Sequence, residues 1–427
     1  MDMCFRALLF LLIPALYGAD DQQLALVLRA QTDFDRAALA AVPQLPDTAR
    51  CIQSQAALLS VARPSELSLI HYRKGFCTLA GATVTNSAAE FRDAAGEFDK
   101  AIETWPERTL GGPKNSGAEP VSSGLRVLAA VARLQADRDP DTLNKERHEI
   151  EATVEPAVCG SNIMSATYCQ GLVQTGRDWL GWMAFQRDDL YEAAHDFAAV
   201  PEMPWAQWVA GHQAFADRKY GEAAAHDRRA VDAWITAERG HAASMRERLE
   251  PPVNVPEALT DLGGAQLLSG DLAGATASLD AALKDNPMLA RAAYLRACVE
   301  ETSGNAAPAL ADYNLAARTA FANAQELASG EAHLYRGILM YRRKDYAHAE
   351  NEFASALNFD IPPALKPDAV AWRHLAAVEG GTCGSERQYL EESLAAVSPY
   401  FPKQEARAAA GTCPLTGAGA SAGLSLR

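Results

Sequence analysis

Residues 256–287 read PEALTDLGGAQLLSGDLAGATASLDAALKDNP, and the fold class can be inferred from the spacing of their small and large apolar residues. With Pro256 counted as position 1, small residues occupy positions 8, 20 and 27, and large apolar residues occupy positions 4, 7 and 24. At helical spacing these residues share one face, and the small side chains allow two helices to approach closely. Gly270-Asp271 predicts a turn, and Pro287 stops the second helix because proline lacks an N–H. The stretch therefore predicts an antiparallel helical hairpin.

The same pattern is repeated directly after this hairpin. Copies counted from Ala290 and Gly330 keep small residues at positions 8, 20 and 27. Position 24 is filled by Tyr313 in the first of these copies and by Phe353 in the second. Three copies in register indicate a repeat protein.

Weaker copies lie upstream. One starts at Gln174, and another starts near Pro204, where Asp227 takes the place of the large residue at position 24. Further back, the residues around Phe98 reproduce the second half of the hairpin, after a loop predicted at Gly81–Asn86. The repeat is thus predicted to extend toward the N-terminus in degenerate form.

This repeat resembles the tetratricopeptide repeat, whose consensus has a period of 34 residues. The resemblance covers residues 174–360 well and residues 65–106 in part. It implies an all-α fold, a right-handed superhelical solenoid of antiparallel helix pairs. Such solenoids usually present a long concave surface that binds a partner.

The resemblance also implies which side chains line the concave groove, namely those at positions 2, 5, 9 and 12 of each first helix. Aromatic residues would gather in the middle repeats, and mixed charges would lie toward the C-terminal half. The candidate groove residues are Trp182, Phe185, Trp205, Trp208, His212, Phe215, Arg291, Tyr294, Glu301 and Tyr341. Two alternatives stay open for the tryptophans: they fill the core between neighbouring helices, or they stack on sugar rings.

The charge of the chain argues against nucleic acid as a partner. The formal net charge is −15 over 427 residues. Phosphate backbones require clustered lysine and arginine. The basic groups at Arg228-Arg229 and Arg342-Arg343-Lys344 are short and lie among acids. No nucleic-acid partner is therefore predicted.

Residues 1–19 predict a secretory signal peptide. Arg6 precedes the apolar run Ala7–Tyr17, which is too short to span a bilayer comfortably. Cleavage is expected after Gly18, leaving a mature chain without a transmembrane segment. The alternative is a first buried helix. We therefore predict an exported protein, periplasmic or secreted.

Cysteine placement favours the same compartment. Cys4 lies in the predicted signal peptide, and six of the seven others bracket helical segments in pairs. An oxidising compartment would join such pairs, and each bridge would add roughly 3 kcal/mol of stability. The predicted disulfides are Cys51–Cys77, Cys159–Cys169 and Cys383–Cys413. The alternative is that the cysteines are buried and reduced.

Stretches rich in proline and glycine divide the chain, chiefly at Leu110–Ser123 and Glu250–Pro256. The predicted segments are a signal peptide at 1–19, an N-terminal degenerate repeat region at 20–106, a linker and irregular helical region at 107–173, degenerate repeats at 174–250, well-matched repeats at 256–360, a C-terminal helical cap at 361–416 and a disordered tail at 417–427.

No motif with catalytic spacing is found. His148-Glu149 lacks the second histidine of a zinc-protease helix, and His212, His226 and His241 are too widely spaced for ligands on one helix turn. No metal or cofactor is predicted. The leading hypothesis is a non-catalytic exported scaffold that binds a protein or peptide segment in its groove. The alternatives are a solute- or glycan-binding protein with a Trp-rich pocket, and a catalytic or accessory domain within 107–173.

Overall fold

The computed structural model describes residues 21–38, 40, 42–105, 122–155, 157–159, 164–198, 200–239, 248–323 and 329–413. The predicted signal peptide at 1–19 and the predicted tail at 417–427 lie outside these residues, as do residues 107–121 of the predicted linker.

Within the described ranges the chain is all-α, as predicted, with nineteen α-helices and one short 3₁₀ helix at Pro64–Glu66. The helices are α1 Asp21–Ala38, α2 Leu45–Leu59, α3 Leu67–Thr85, α4 Ala88–Glu103, α5 Ser123–Ala136, α6 Pro140–Val154, α7 Ala166–Gln186, α8 Leu190–Phe197, α9 Pro204–Ala216, α10 Tyr220–Arg239, α11 Val255–Ser269, α12 Leu272–Asp285, α13 Ala290–Thr302, α14 Ala306–Asn323, α15 Gly330–Arg342, α16 Tyr346–Asn358, α17 Lys366–Glu379, α18 Ser385–Ser393 and α19 Lys403–Thr412.

Consecutive helices pack as antiparallel pairs, which is the arrangement predicted from the repeat. In the 256–287 hairpin, Gly270 adopts a left-handed conformation with φ of 88° and ends α11. Asp271 then caps α12 by accepting a hydrogen bond from the Gly274 N–H. Two residues are therefore enough to reverse the chain, and the two helices lie side by side.

The contact inside each hairpin joins positions 8 and 24. A β-carbon at Gly263 would lie 2.6 Å from Leu279, and one at Gly337 would lie 2.5 Å from Phe353. Gly181 meets Phe197 in the same way, at 2.6 Å, in the weaker copy that starts at Gln174. Glycine is required at these points because the large side chain of the second helix rests on the backbone of the first. This repeated contact confirms the predicted hairpins.

The N-terminal copy shows the same contact with a different spacing. Gly75 lies against the ring of Phe98, 23 residues later, in place of the usual 16. The prediction of a loop at Gly81–Asn86 was wrong, because α3 continues to Thr85 and ends at Asn86 with φ of 53°. A longer first helix, and not a longer loop, accommodates the extra residues.

An ion pair between positions 7 and 23 also recurs and was not foreseen from the sequence. It joins Arg296 to Asp312 at 2.7 Å and Arg336 to Glu352 at 2.7 Å. Lys74 and Glu97 form the equivalent pair at 3.1 Å in the N-terminal hairpin. Burial opposes ionisation of Glu97, but hydrogen bonds from His71, Lys100 and Lys74 outweigh it and lower its pKa to about 2. The pair ties the two helices of a hairpin beside their apolar contact.

The chain divides into two compact units. Unit 1 comprises Met1–Val209 and Trp234–Val253, and unit 2 comprises Ala210–Ala233 and Asn254–Arg427, each within the described ranges. In unit 1, the rings of Phe34, Tyr72, Phe76 and Phe98 form one aromatic core. In unit 2, Phe353 stacks on Trp372 with ring centroids 5.9 Å apart.

Three disulfides join the pairs of cysteines that the sequence predicted. Cys51–Cys77 links α2 to α3, and Cys159–Cys169 ties the preceding segment to α7, both in unit 1. Cys383–Cys413 joins the turn after α17 to the end of α19 in unit 2. Cys298 is a free thiol.

No helix in the described part of the chain is both long enough and apolar enough to cross a membrane.

Candidate binding face

Six of the ten predicted groove residues lie in unit 2 on the first helices of successive hairpins. We call the side formed by α11, α13, α15 and α17, with the unit 2 part of α9, the first-helix face. Adjacent first helices are in contact along it, as α11 is with α13 and α15 is with α17. The predicted residues on this face are His212, Phe215, Arg291, Tyr294, Glu301 and Tyr341.

The first-helix face is covered in part by a segment of the same chain, residues 398–405, which we call the C-terminal segment. It begins with Ser398, whose backbone N–H and hydroxyl donate hydrogen bonds of 2.7 and 2.6 Å to the two oxygens of Asp368. Asp368 is the second residue after Lys366 in α17. Phe401 follows and packs its ring 5.1 Å from that of Trp372. The segment is therefore anchored on α17 by one polar and one apolar contact.

Tyr400 extends from the C-terminal segment to the beginning of the face. Its hydroxyl contacts Gly264 of α11, where any larger residue would collide with it. Its ring lies 6.1 Å from that of the predicted groove residue Phe215. Burial raises the pKa of the Tyr400 hydroxyl, and the nearby charge of Arg291 partly offsets this. The hydroxyl is buried, and no residue of the described chain forms a hydrogen bond with it.

Glu405 forms an ionic contact between the C-terminal segment and α15. It accepts hydrogen bonds from the Tyr341 hydroxyl at 2.9 Å and from Arg342 Nη1 at 2.7 and 2.9 Å. Arg342 also forms an ion pair of 3.0 Å with Glu301, which in turn accepts a 2.9 Å hydrogen bond from Tyr313. Two predicted groove residues, Tyr341 and Glu301, are thus brought together through Arg342, which the repeat positions did not single out.

Arg342 is held by rings as well as by carboxylates. Its guanidinium lies 5.2 Å from the ring centre of Trp372 and 5.5 Å from that of Tyr341, at cation–π distance. Burial opposes its charge, but Tyr313, Glu301 and Glu405 outweigh that effect and raise its pKa. Arginine can satisfy several acceptors at once because its donors form a planar fork. Arg342 therefore holds Glu301, Glu405 and the ring of Trp372 together at this end of the face.

A second ionic cluster lies near Tyr400. Arg291 Nη1 and His212 Nε2 lie 2.6 and 3.1 Å from the two carboxylate oxygens of Asp261. Burial alone would raise the pKa of Asp261, but Arg291 and then His212 reverse this and lower it. Two predicted groove residues, Arg291 and His212, are therefore joined by an aspartate that sequence reasoning missed.

Asp227 lies behind this cluster, at the position that is large and apolar in other copies. It is 3% exposed and its carboxylate packs on Gly211, as Leu279 packs on Gly263. Burial, followed by repulsion from Asp261, raises the pKa of Asp227 to about 8, with Arg291 opposing. The carboxyl group is therefore mainly protonated at neutral pH.

Tyr294 lies between these clusters and is buried. Its ring centroid is 5.3 Å from that of Tyr335 and 6.1 Å from that of Tyr313. Cys298 is next to Tyr313, and burial raises the pKa of its thiol to about 11, so the thiol is protonated and weakly nucleophilic.

The other four predicted residues lie in unit 1. Trp205 and Trp208, 1% and 4% exposed, pack with ring centroids 5.1 Å apart, and Trp234 and Phe185 pack on both. Trp182 is 8% exposed and packs edge-on against Trp179, whose indole N–H donates to the Leu249 carbonyl at 2.8 Å. These rings cover one another and leave little surface for a partner, so contact between them and a partner stays a prediction.

In the part of the chain that the structure describes, no group of three or more histidine, cysteine or acidic side chains could hold a metal ion. The chemistry of the first-helix face is that of hydrogen bonding, ion pairing and ring stacking. These are the interactions by which one polypeptide recognises another.

The repeated contact between positions 8 and 24 defines the class: a helical-hairpin repeat protein with the tetratricopeptide-repeat fold. No family model matches the sequence. No curated protein matches it either.

Solved structures align with the chain at low identity. A tetratricopeptide repeat protein from Parabacteroides merdae ATCC 43184 is 11% identical, covering 71% of this chain and 98% of that chain, with a TM-score of 0.38. Yeast Tom70 is 12% identical over 92% and 95% of the two chains, with a TM-score of 0.35. The P58(IPK) TPR domain is 11% identical over 90% and 96%, with a TM-score of 0.28. The fold class is inferred from the packing inside the hairpins. These alignments are not evidence for the function of this chain.

Proposed function

We propose that this protein is an exported, non-catalytic scaffold that binds a segment of another protein on the first-helix face of unit 2. The observation that carries the proposal is the C-terminal segment. This face already accommodates a polypeptide through a hydroxyl, an aromatic ring and a carboxylate, contributed by Ser398, Tyr400 and Glu405. A face that accepts one polypeptide in this way has the chemistry to accept another.

Two features support export. Three disulfides are typical of proteins that fold in an oxidising compartment. The apolar run at Ala7–Tyr17 has the character of a secretory signal, although it lies outside the described residues. The proposed location is therefore the periplasm or the extracellular medium.

The face offers a matched pair of residues for testing the proposal. Glu301 is 41% exposed and pairs with Arg342, whereas its neighbour Glu300 accepts a hydrogen bond from Asn305 at the hairpin turn. Capture of a partner from the exported fraction of the source cells is expected to fall about tenfold with Glu301→Ala, which corresponds to about 1.4 kcal/mol. Glu300→Ala is expected to capture as wild type does. Equal capture by both variants, with the captured protein cross-linked elsewhere on the chain, would show that the binding face is wrongly assigned.

A further inference from the structure

The C-terminal segment does not continue the repeat. Between the end of α18 at Ser393 and the start of α19 at Lys403, the described backbone has no regular helix. Pro399 and Pro402 prevent one, because proline lacks the N–H that a helix interior requires. The C-terminal segment is therefore an irregular strap at residues 398–402 that continues into the first turn of α19 as far as Glu405, and it lies on the first-helix face.

The strap has firm anchors and also contacts that can be exchanged. It lies inside the loop closed by Cys383–Cys413, whose partners are 30 residues apart, and Ser398 is hydrogen-bonded to Asp368. Along the strap, Phe401 alone is fully buried, with 3% exposure. Glu405 remains 39% exposed although it contacts both Tyr341 and Arg342. Contacts that are polar and partly solvated can be exchanged with little loss, because water or another ligand can replace them.

Two polar atoms where the strap meets the first-helix face are left without hydrogen bonds, one on the strap and one on α15. The Tyr400 hydroxyl and Arg342 Nε are buried, and neither has a partner in the described chain. Burying an unpaired polar group is unfavourable. An incoming segment that supplied an acceptor to Arg342 Nε, or whose own hydroxyl formed a hydrogen bond, would bind more tightly than the strap does.

We propose that the C-terminal segment is a tethered competitor for the first-helix face, and that the partner displacing it carries the same chemistry: an aromatic hydroxyl followed about five residues later by a carboxylate. This inference rests on the proposed function for its claim about a partner. The tether gives the strap an effective concentration of roughly millimolar. A partner present below this concentration must therefore bind the open face more tightly than the untethered segment does, by at least the ratio of the two concentrations.

The test uses a labelled peptide of residues 396–407, AVSPYFPKQEAR, added to the full-length protein. The open variant is Tyr400→Ala/Glu405→Gln, which removes the contacts of the strap with α11 and α15 and leaves Ser398 and Phe401 in place. The matched control is Gln404→Ala, which changes an exposed residue between them. Fluorescence anisotropy is expected to show at least tenfold tighter binding to the open variant than to wild type or the control. A second peptide carrying the same two substitutions is expected to bind at least tenfold more weakly to the open variant.

Failure of the inference is distinguishable from failure of the proposed function. If the open variant retains native helix content and binds neither peptide up to about millimolar, the strap is a structural cap and the inference is overturned. If the open variant loses its fold, Tyr400→Ala alone provides the same measurement with a smaller change. If the open variant binds the peptide while Glu301→Ala captures partners as wild type does, exchange of the strap on this face stands. The proposed partner binding on the face then fails, and the claim about the partner's chemistry fails with it.

Discussion

The aromatic cluster of unit 1 and the first-helix face of unit 2 were both predicted as groove, and the structure treats them differently. Trp205, Trp208 and Trp234 bury their rings against one another. On the first-helix face, Tyr341 and Arg342 instead direct polar groups toward a separate segment of the chain. The tryptophans therefore bury one another's rings, whereas the rings and charges of the first-helix face contact a segment from another part of the chain.

The physical reason is the balance between burial and desolvation. Indole rings gain free energy from any apolar neighbour, so three of them close on each other. A guanidinium such as that of Arg342 cannot be buried without acceptors, and it therefore assembles Glu301 and Glu405 around it. On such a face, a carboxylate from another polypeptide can replace that of Glu405 beside Arg342.

The largest expected difference between the two regions is in stability. Trp205→Ala is expected to lower the free energy of unfolding by about 3–5 kcal/mol, because it leaves a cavity in the cluster. Tyr400→Ala is expected to lower it by only about 1–2 kcal/mol, since the ring is part-exposed and its hydroxyl is unpaired. Urea unfolding of the full-length variants measures both. Comparable losses would mean that the strap is as much a part of the core as the tryptophan cluster.

The disulfides offer the next largest test. Removing Cys383–Cys413 by Cys383→Ser/Cys413→Ser is expected to cost about 3–4 kcal/mol, from the entropy of its 30-residue loop. Cys159→Ser/Cys169→Ser in unit 1 is expected to cost slightly less, since its partners are 10 residues apart. Thermal unfolding compares the two variants.

Proteolysis adds a qualitative difference between these two disulfide variants. Only loss of Cys383–Cys413 is expected to expose the peptide bonds near Tyr400 to limited digestion, because only that loop contains the strap. Cleavage at the same rate in both variants would mean that the disulfide does not hold the strap in place.

Much of the fold could be predicted because hairpin packing is local. Gly263 and Leu279 lie 16 residues apart, and one turn of known type fixes their contact. The disulfide pairs could be predicted from the sequence for the same reason, since the two cysteines of each pair bracket one short segment. The extension of α3 to Thr85 was missed because a longer helix and a longer loop use the same number of residues.

The candidate site was only partly predictable, for the opposite reason. Glu405 and Tyr341 are 64 residues apart in sequence, and no repeat position connects them. The one signal was indirect: Cys383 and Cys413 bracket a stretch containing Pro399 and Pro402 that fits no hairpin. Side chains whose partners lie in another part of the chain cannot be assigned from spacing alone.

A pH test separates the two regions further. Asp227 has a pKa of about 8 in the folded chain and an ordinary value of 3.8, so the folded state binds more protons between these limits. Stability is therefore full at low pH and falls as pH rises toward 8, by up to about 1.4 kcal/mol per unit. Between pH 6.0 and 7.5 wild type is expected to lose about 2 kcal/mol relative to Asp227→Asn. Urea unfolding at the two values, with the exposed Glu222→Gln as control, measures this.

Asp227→Asn is the reference for the pH test, because it lacks the titrating carboxyl group. Its urea midpoint is expected to change less between the two pH values than that of wild type. A wild-type pH dependence that persists unchanged in Asp227→Asn would assign the effect to another group.

The smallest expected difference, about 1 kcal/mol, separates two neighbouring glycines. Gly263→Ala places a methyl group against Leu279 inside the hairpin and is expected to cost about 1–3 kcal/mol. Gly264→Ala places it against the Tyr400 hydroxyl and Leu295, so the strap can move away and the cost is expected to be lower. Gly264→Ala is expected to weaken binding of the 396–407 peptide to the open variant, because the tyrosine of the peptide meets the same methyl group, whereas Gly263→Ala is not. If Gly263→Ala changes peptide binding and Gly264→Ala does not, Gly263 and not Gly264 lies on the first-helix face, and the residues assigned to that face on α11 are wrong.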